Sequence, residues 1–81
     1  MNRVSARQDK HLDLKKLGVA IRARRRDAEL SQEALADVAG IDRSHMGKIE
    51  RGERNVTFLN IVRISCALKC LPSELLVGAG L

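Results

Sequence analysis

Between Ser31 and Gly52 the chain is punctuated so closely that it has room only for a pair of two-turn helices. Ser31 precedes Gln32 and Glu33 as an N-cap followed by an acid in the first turn, and Gly40 stops that segment after Ala39. Asp42 offers a second cap, and Gly52 ends a helix predicted over 43–51. The joint Gly40-Ile41-Asp42 allows a steep crossing only if nearby positions are small, flexible or apolar. Ala36 leaves room for the crossing, Gly40 can adopt a positive φ, and Ile41, Met46 and Ile49 can plug the angle from inside.

The rest of the chain also reads as helix. Leu14, Leu17 and Ile21 recur at helical spacing and mark a first helix over 12–28, whereas residues 1–11 read as a loose basic arm. The second helix, 32–39, is expected to bury Leu35 and Val38. Thr57 can cap a fourth helix reaching residue 68, with Phe58, Ile61, Ile64, Ser65 and Leu68 on one stripe and Leu59, Val62 and Cys66 on another. Pro72 opens a short fifth helix over 72–77 with Leu75 and Leu76 as its apolar pair, and residues 78–81 form a tail. Phe58 is the sole aromatic residue and Pro72 the sole proline, a composition that argues against sheet. With 81 residues, 44% apolar and 31% charged, the chain makes one all-α domain; it has no apolar run long enough to span a bilayer and no secretory signal, so the expected compartment is the cytoplasm.

Charge is concentrated at one end. Residues 1–30 hold nine Lys or Arg against four acids, residues 31–55 four against five, and residues 56–81 two against one. An excess of this kind, densest at Arg22, Arg24, Arg25 and Arg26, favours a polyanionic partner, although a solvated helix face has the same composition. On a helical wheel with Met46 and Ile49 inward, Ser44, Lys48 and Arg51 point out, Arg43, His45 and Glu50 flank them, and Gly47 leaves a bare patch. A helix of that width fits the major groove, where Arg or Lys pairs with guanine and Ser with several base edges. Arg43 and Ser44 are the first candidates for base contacts, with Lys48 beside them.

The run SQEALADVAGIDRSHMGKIERGERNVTFLNIVRISCALKCLPSELL resembles the compact five-helix, lambda-repressor-like DNA-binding domain of the repressor and Cro group, the XRE helix-turn-helix family, in which helices 2 and 3 form the motif. Through Ile41-Asp42-Arg43-Ser44-His45 and Glu50-Arg51-Gly52-Glu53-Arg54-Asn55 it is most similar to controller proteins of restriction-modification systems. The resemblance implies that Gln32 bonds a phosphate and braces the third helix, that Arg25 and Glu50 form a structural ion pair, and that Arg51, Arg54 and Asn55 grip the backbone. Arg22 and His45 join them as phosphate candidates. Three positions depart from the family pattern: Glu29 where relatives often have Gly, His45 where controllers often have Tyr, and Leu71 where a polar cap is usual.

These readings converge on a sequence-specific regulator of double-stranded DNA, a homodimer on a palindromic operator, with a domain over 12–77 that dimerises through helices 4 and 5. Leu59, Val62, Cys66, Leu71 and Leu75 are the expected interface, unless that stripe is ordinary core under the fifth helix. RNA polymerase is a further candidate partner. A phage- or plasmid-type repressor, an antitoxin-like interaction module, and nonspecific binding by the arm are the rival readings. Cys66 and Cys70 are four apart and far from either His, so they are expected to be buried reduced thiols rather than metal ligands. No cofactor, metal or catalytic group is expected, and no enzymatic activity.

Overall fold

The computed structural model describes residues 9–81. Five helices follow one another: α1 (Asp13–Asp27), α2 (Gln32–Ala39), α3 (Arg43–Glu50), α4 (Phe58–Ala67) and α5 (Pro72–Gly78). No strand occurs among the described residues. α2 packs on α3 and α4, α1 crosses α3, and α5 closes the bundle against α1 and α4. Their meeting point is a core in which Ile21, Leu35, Met46, Ile49, Ile64 and Leu75 are all but fully buried.

α1 starts at Asp13, one residue after the expected start at 12, and its cap comes from the segment read as arm. Asp9 accepts hydrogen bonds from the amides of Asp13 at 3.0 Å and Leu14 at 2.7 Å, supplying the cap that Leu12, itself at φ 59°, cannot. These bonds, the Leu14 amide foremost, hold the Asp9 carboxyl below its ordinary value of 3.8. Residues 9–11 are therefore tied to α1 rather than part of the arm, whose residues 1–8 lie outside the described residues. At the other end Leu30 donates its amide to the Arg25 carbonyl at 3.0 Å, which requires the residue between to turn left-handed. That residue is Glu29, at φ 59° without the freedom of glycine.

Four other expectations need correction. Val38 is exposed, because the inward face of α2 is Leu35, Ala36 and Ala39 and Val38 falls to one side of it. Phe58, the first residue of α4, is 74% exposed at the edge of a stripe whose buried members are Ile64, Ser65 and Leu68. Cys66 is exposed and Cys70 half-buried, both as free thiols, so only the latter packs. Residue 78 belongs to α5, and the supposed tail folds back: the Gly80 amide donates to the Val77 carbonyl and the Leu81 amide to that of Leu76, both at 2.9 Å.

Candidate nucleic-acid interface

Local hydrogen bonding fixes the joint between α2 and α3. Ser31 caps α2 by accepting from the Ala34 amide at 3.0 Å, and Asp42 caps α3 through the His45 amide at 3.2 Å. Gly40 takes φ 69°, which lets the Ile41 amide return to the Ala36 carbonyl at 2.9 Å. Ala36, Ile41, Met46 and Ile49 fill the angle, all of them buried. α3 therefore has a defined inner side, and its opposite side is free to meet a ligand.

On that outer side Arg43 and Ser44 are exposed, and His45 and Lys48 are half-buried along its flanks. Arg43 forms an ion pair across the joint, with Nη1 3.4 Å from Glu33 Oε2. Gly47 is not the bare patch expected of it. It is buried, and a Cβ placed there would sit 3.2 Å from Gln32 Oε1 and 3.1 Å from Arg51 Nη1. The first residue of α2 and the residue that caps the end of α3 thus converge over one glycine, and Gln32 and Arg51 are brought together although they are far apart in sequence.

Arg51 also donates its Nε–H to Glu53 Oε2, and its guanidinium holds the Glu53 carboxyl below the usual carboxylate range while its own value rises. The turn between them is tightly held: Gly52 lies at φ 72°, and a Cβ there would meet the Lys15 Cα at 2.7 Å. Arg54 and Asn55 follow on the exposed link to α4, and Arg22 is exposed on α1.

Behind this surface, Arg25 grips Glu50 with two parallel bonds, Nε to Oε2 at 2.8 Å and Nη2 to Oε1 at 3.1 Å, while its Nη1 donates to the Leu30 carbonyl at 2.9 Å. The Glu50 side chain is 3% exposed, so its charge is compensated within the protein rather than by water. No buried side-chain nitrogen or oxygen among the described residues lacks a hydrogen-bond partner.

The expected interface residues divide. Leu59, Cys66 and Leu71 are exposed and Val62 is half-buried, whereas Leu75 is completely buried and offers nothing to another chain. Leu75 faces inward because α5 must close the core between α1 and α4. Leu71 sits before α5 without a side chain able to cap it, and the Glu74 carboxylate reaches back to accept the Leu71 amide at 2.9 Å, satisfying one of the free amides at that end. Among the described residues no group of three or more His, Cys, Asp or Glu is placed to hold a metal, and no helix is long and apolar enough to cross a membrane.

Sequence reasoning missed Gly18 and the pairings of Glu33 with Arg43 and of Glu53 with Arg51 as contributors to this region. Gly18 had a readable signal: it stands inside the apolar stripe of the first helix, where glycine costs about 1 kcal/mol relative to alanine and needs a packing reason. The two acids had none, because each pairing depends on a turn geometry that spacing alone does not fix.

Two short capped helices meeting at Gly40, with the polar side of the second turned outward, define the helix-turn-helix class of DNA-binding proteins, and the chain belongs to the Helix-turn-helix family, whose model matches residues 21–75. Within it, the chain is 38% identical over 71 residues to the control protein C.SmaI of Serratia marcescens, covering 86% of this chain and 84% of that one. The crystal structure of the restriction-modification controller protein C.AhdI from Aeromonas hydrophila superposes with a TM-score of 0.77 at 48% identity, over 78% of this chain and 96% of the other. Repressor protein C2 of Salmonella phage P22 is 36% identical over 62 residues, 76% of this chain but 29% of its own length. The protein is thus a helix-turn-helix DNA-binding regulator related to restriction-modification controllers and phage repressors.

Proposed function

We propose that the protein regulates transcription as a restriction-modification controller, binding a palindromic operator as a homodimer with α3 of each protomer in the major groove. Arg43, Ser44 and Lys48 read base edges. Gln32, His45, Arg51, Arg54, Asn55 and Arg22 hold phosphates and set the register. Arg25 and Glu50 act from behind, as a structural pair. The observation that carries this reading is the convergence of Gln32 and Arg51 over Gly47, which groups two phosphate-type donors beside the outward side of α3. The names of C.SmaI and C.AhdI support the choice of controller over phage repressor.

One recognition helix reads only a few base pairs, and a two-fold pair doubles the contact set. Leu59, Cys66 and Leu71, exposed on α4 and at the entry to α5, supply the apolar surface for that pairing. The regulator works in the cytoplasm beside its DNA target, with RNA polymerase as the onward partner where it activates. Its relatives are DNA-binding regulators, and no catalytic step is assigned to it.

Selection of duplexes from a random-sequence pool tests the reading. The expected result is enrichment of a two-fold symmetric site with half-site centres separated by about one helical turn, or a multiple of it. Arg43→Ala should then lose about 1 to 3 kcal/mol on the enriched site and little on unselected duplex. About six phosphate neutralisations per dimer predict a log-log salt slope near −5. Failure to enrich any sequence, or a slope near zero, overturns the proposal.

A further inference from the structure

Both arginines at the ends of α3 are already in contact with a carboxylate: Arg43 with Glu33, and Arg51 with Glu53. The second pair differs from an ordinary pairing of two long surface side chains. Glu53 follows a turn locked by the Lys15 backbone against Gly52, and its own amide donates to the Lys48 carbonyl at 2.9 Å. Its backbone is therefore held rigidly against the end of α3, and the carboxylate need settle only its own rotamers to meet the guanidinium. Arg51 Nη1 in turn lies over Gly47, on whose surface Gln32 Oε1 also rests. An anionic oxygen thus sits on the guanidinium at the edge of the surface assigned to DNA.

We propose that Glu53 is an internal stand-in for a DNA phosphate, occupying the Arg51 guanidinium in the free protein and so limiting the affinity of the regulator for all DNA, cognate or not. The inference rests on the reading of Arg51 as a phosphate contact. Its physical content is competition: any complex in which Arg51 takes a phosphate must first give up the Glu53 bond, and the free energy of that bond is subtracted from binding. Because phosphates carry no sequence, the subtraction applies equally to every duplex. Glu53 thereby acts as a governor on occupancy and leaves the choice of site to other residues. The lowered Glu53 carboxyl and raised Arg51 guanidinium agree with a pairing held in the free state.

The test is fluorescence-anisotropy titration of two duplexes, one enriched by the wild-type protein and one of unselected sequence, at low salt so that weak complexes remain measurable. Glu53→Gln should bind both duplexes more tightly by about two- to fivefold per protomer, the range expected when an exposed ion pair is removed from the free state. Two variants separate competition from mere repulsion of DNA by a nearby acid. In an Arg51→Ala background the Glu53→Gln gain should vanish or fall below half its original size. Glu53→Asp, which keeps the charge but shortens the reach, should tighten binding in the same direction as Glu53→Gln. An equal gain with and without Arg51, no gain, or a loss of affinity in Glu53→Gln overturns the proposal while leaving DNA binding intact. Absence of binding to either duplex by the wild-type protein removes the DNA reading and this inference with it. Glu53 is exposed and outside the core, so its variants should lose no more stability than the ion pair itself supplies to the free protein.

Discussion

Gly18 of α1 and Glu50 of α3 touch backbone to backbone: a Cβ built on Gly18 would lie 2.3 Å from the Glu50 carbonyl oxygen. The same Glu50 receives the two-pronged bond of Arg25, about two helix turns further along α1. α3 is therefore fixed to α1 twice at a single residue, once through its backbone and once through its side chain. The joint at Gly40 determines how α3 leaves α2, but α1 determines how far its outer side stands from the body of the protein.

Gly18→Ala is expected to destabilise the protein by about 2 kcal/mol, against the roughly 1 kcal/mol gain that helix propensity alone would give. The sign is decided by contact with backbone, which cannot rotate away as a side-chain tip would. Urea unfolding measures the difference. A variant as stable as the wild type would show that α1 and α3 separate at little cost.

Removing the two partners of the Arg25 and Glu50 pair should have unequal effects. Arg25→Met leaves a carboxylate of 3% exposure without compensation, and also frees the Leu30 carbonyl, so a loss of about 3 kcal/mol or more is expected. Glu50→Gln keeps one acceptor for Arg25, whose side chain is 11% exposed, and should cost less. Comparison of the two unfolding midpoints checks the order, and the reverse order would show that the pair is not what holds the acid in place.

Helix boundaries and the joint were legible because caps and glycines are local signals: Ser31, Gly40, Asp42 and Thr57 act on amides within three residues of themselves. Which apolar side chains are buried was legible for Leu35 but not for Val38, since in an eight-residue helix the periodicity spans barely two turns and leaves the direction of the face open. Leu75 was misplaced at the interface for a related reason: one apolar pair on a seven-residue helix does not say which member turns inward. In the candidate site, the wheel gave the inward Met46 and Ile49 and the exposed Arg43 and Ser44, but it put Glu50 on the outward flank, where the structure buries it. The filling of Gly47 by Gln32 and Arg51 was not legible, because it joins residues that only the tertiary crossing brings together.

Glu29 holds φ 59° at the end of α1, a conformation that costs a residue with a Cβ about 1 kcal/mol and glycine little. Glu29→Gly should accordingly stabilise the protein, by less than that amount because of the greater freedom of glycine in the unfolded chain. Thermal unfolding should show a raised midpoint, with affinity for DNA unchanged. A lowered midpoint would mean that the unfolded-state entropy outweighs the strain.

Asp9 gives a pH dependence with a definite sign. Its carboxyl lies below 3.8 in the folded protein because the Leu14 and Asp13 amides favour the charged form, so its contribution is complete above that value and is lost as pH falls through the lowered one. Asp9→Ala should be less stable than wild type near neutral pH, and the two unfolding curves should converge as the solution is acidified below the ordinary carboxylate range. A difference that stays constant in acid would assign the effect to something other than this charge.

Leu59 and Leu75 separate interface from core. Leu59 is 61% exposed on α4, whereas Leu75 is fully buried on α5. If α4 meets a second copy, Leu59→Glu places a charge in that contact without touching the interior: the protein should sediment as a monomer at micromolar concentration, keep its helix content, and lose most of its affinity for a two-fold site. Leu75→Ala removes core volume instead, and should lower stability by about 2 to 5 kcal/mol at any protein concentration. The concentration dependence of the melting temperature distinguishes them, because only an assembled protein gains stability by mass action. A wild-type chain that sediments as a monomer at micromolar concentration, with a melting temperature independent of dilution, would show that Leu59 is exposed for some other reason.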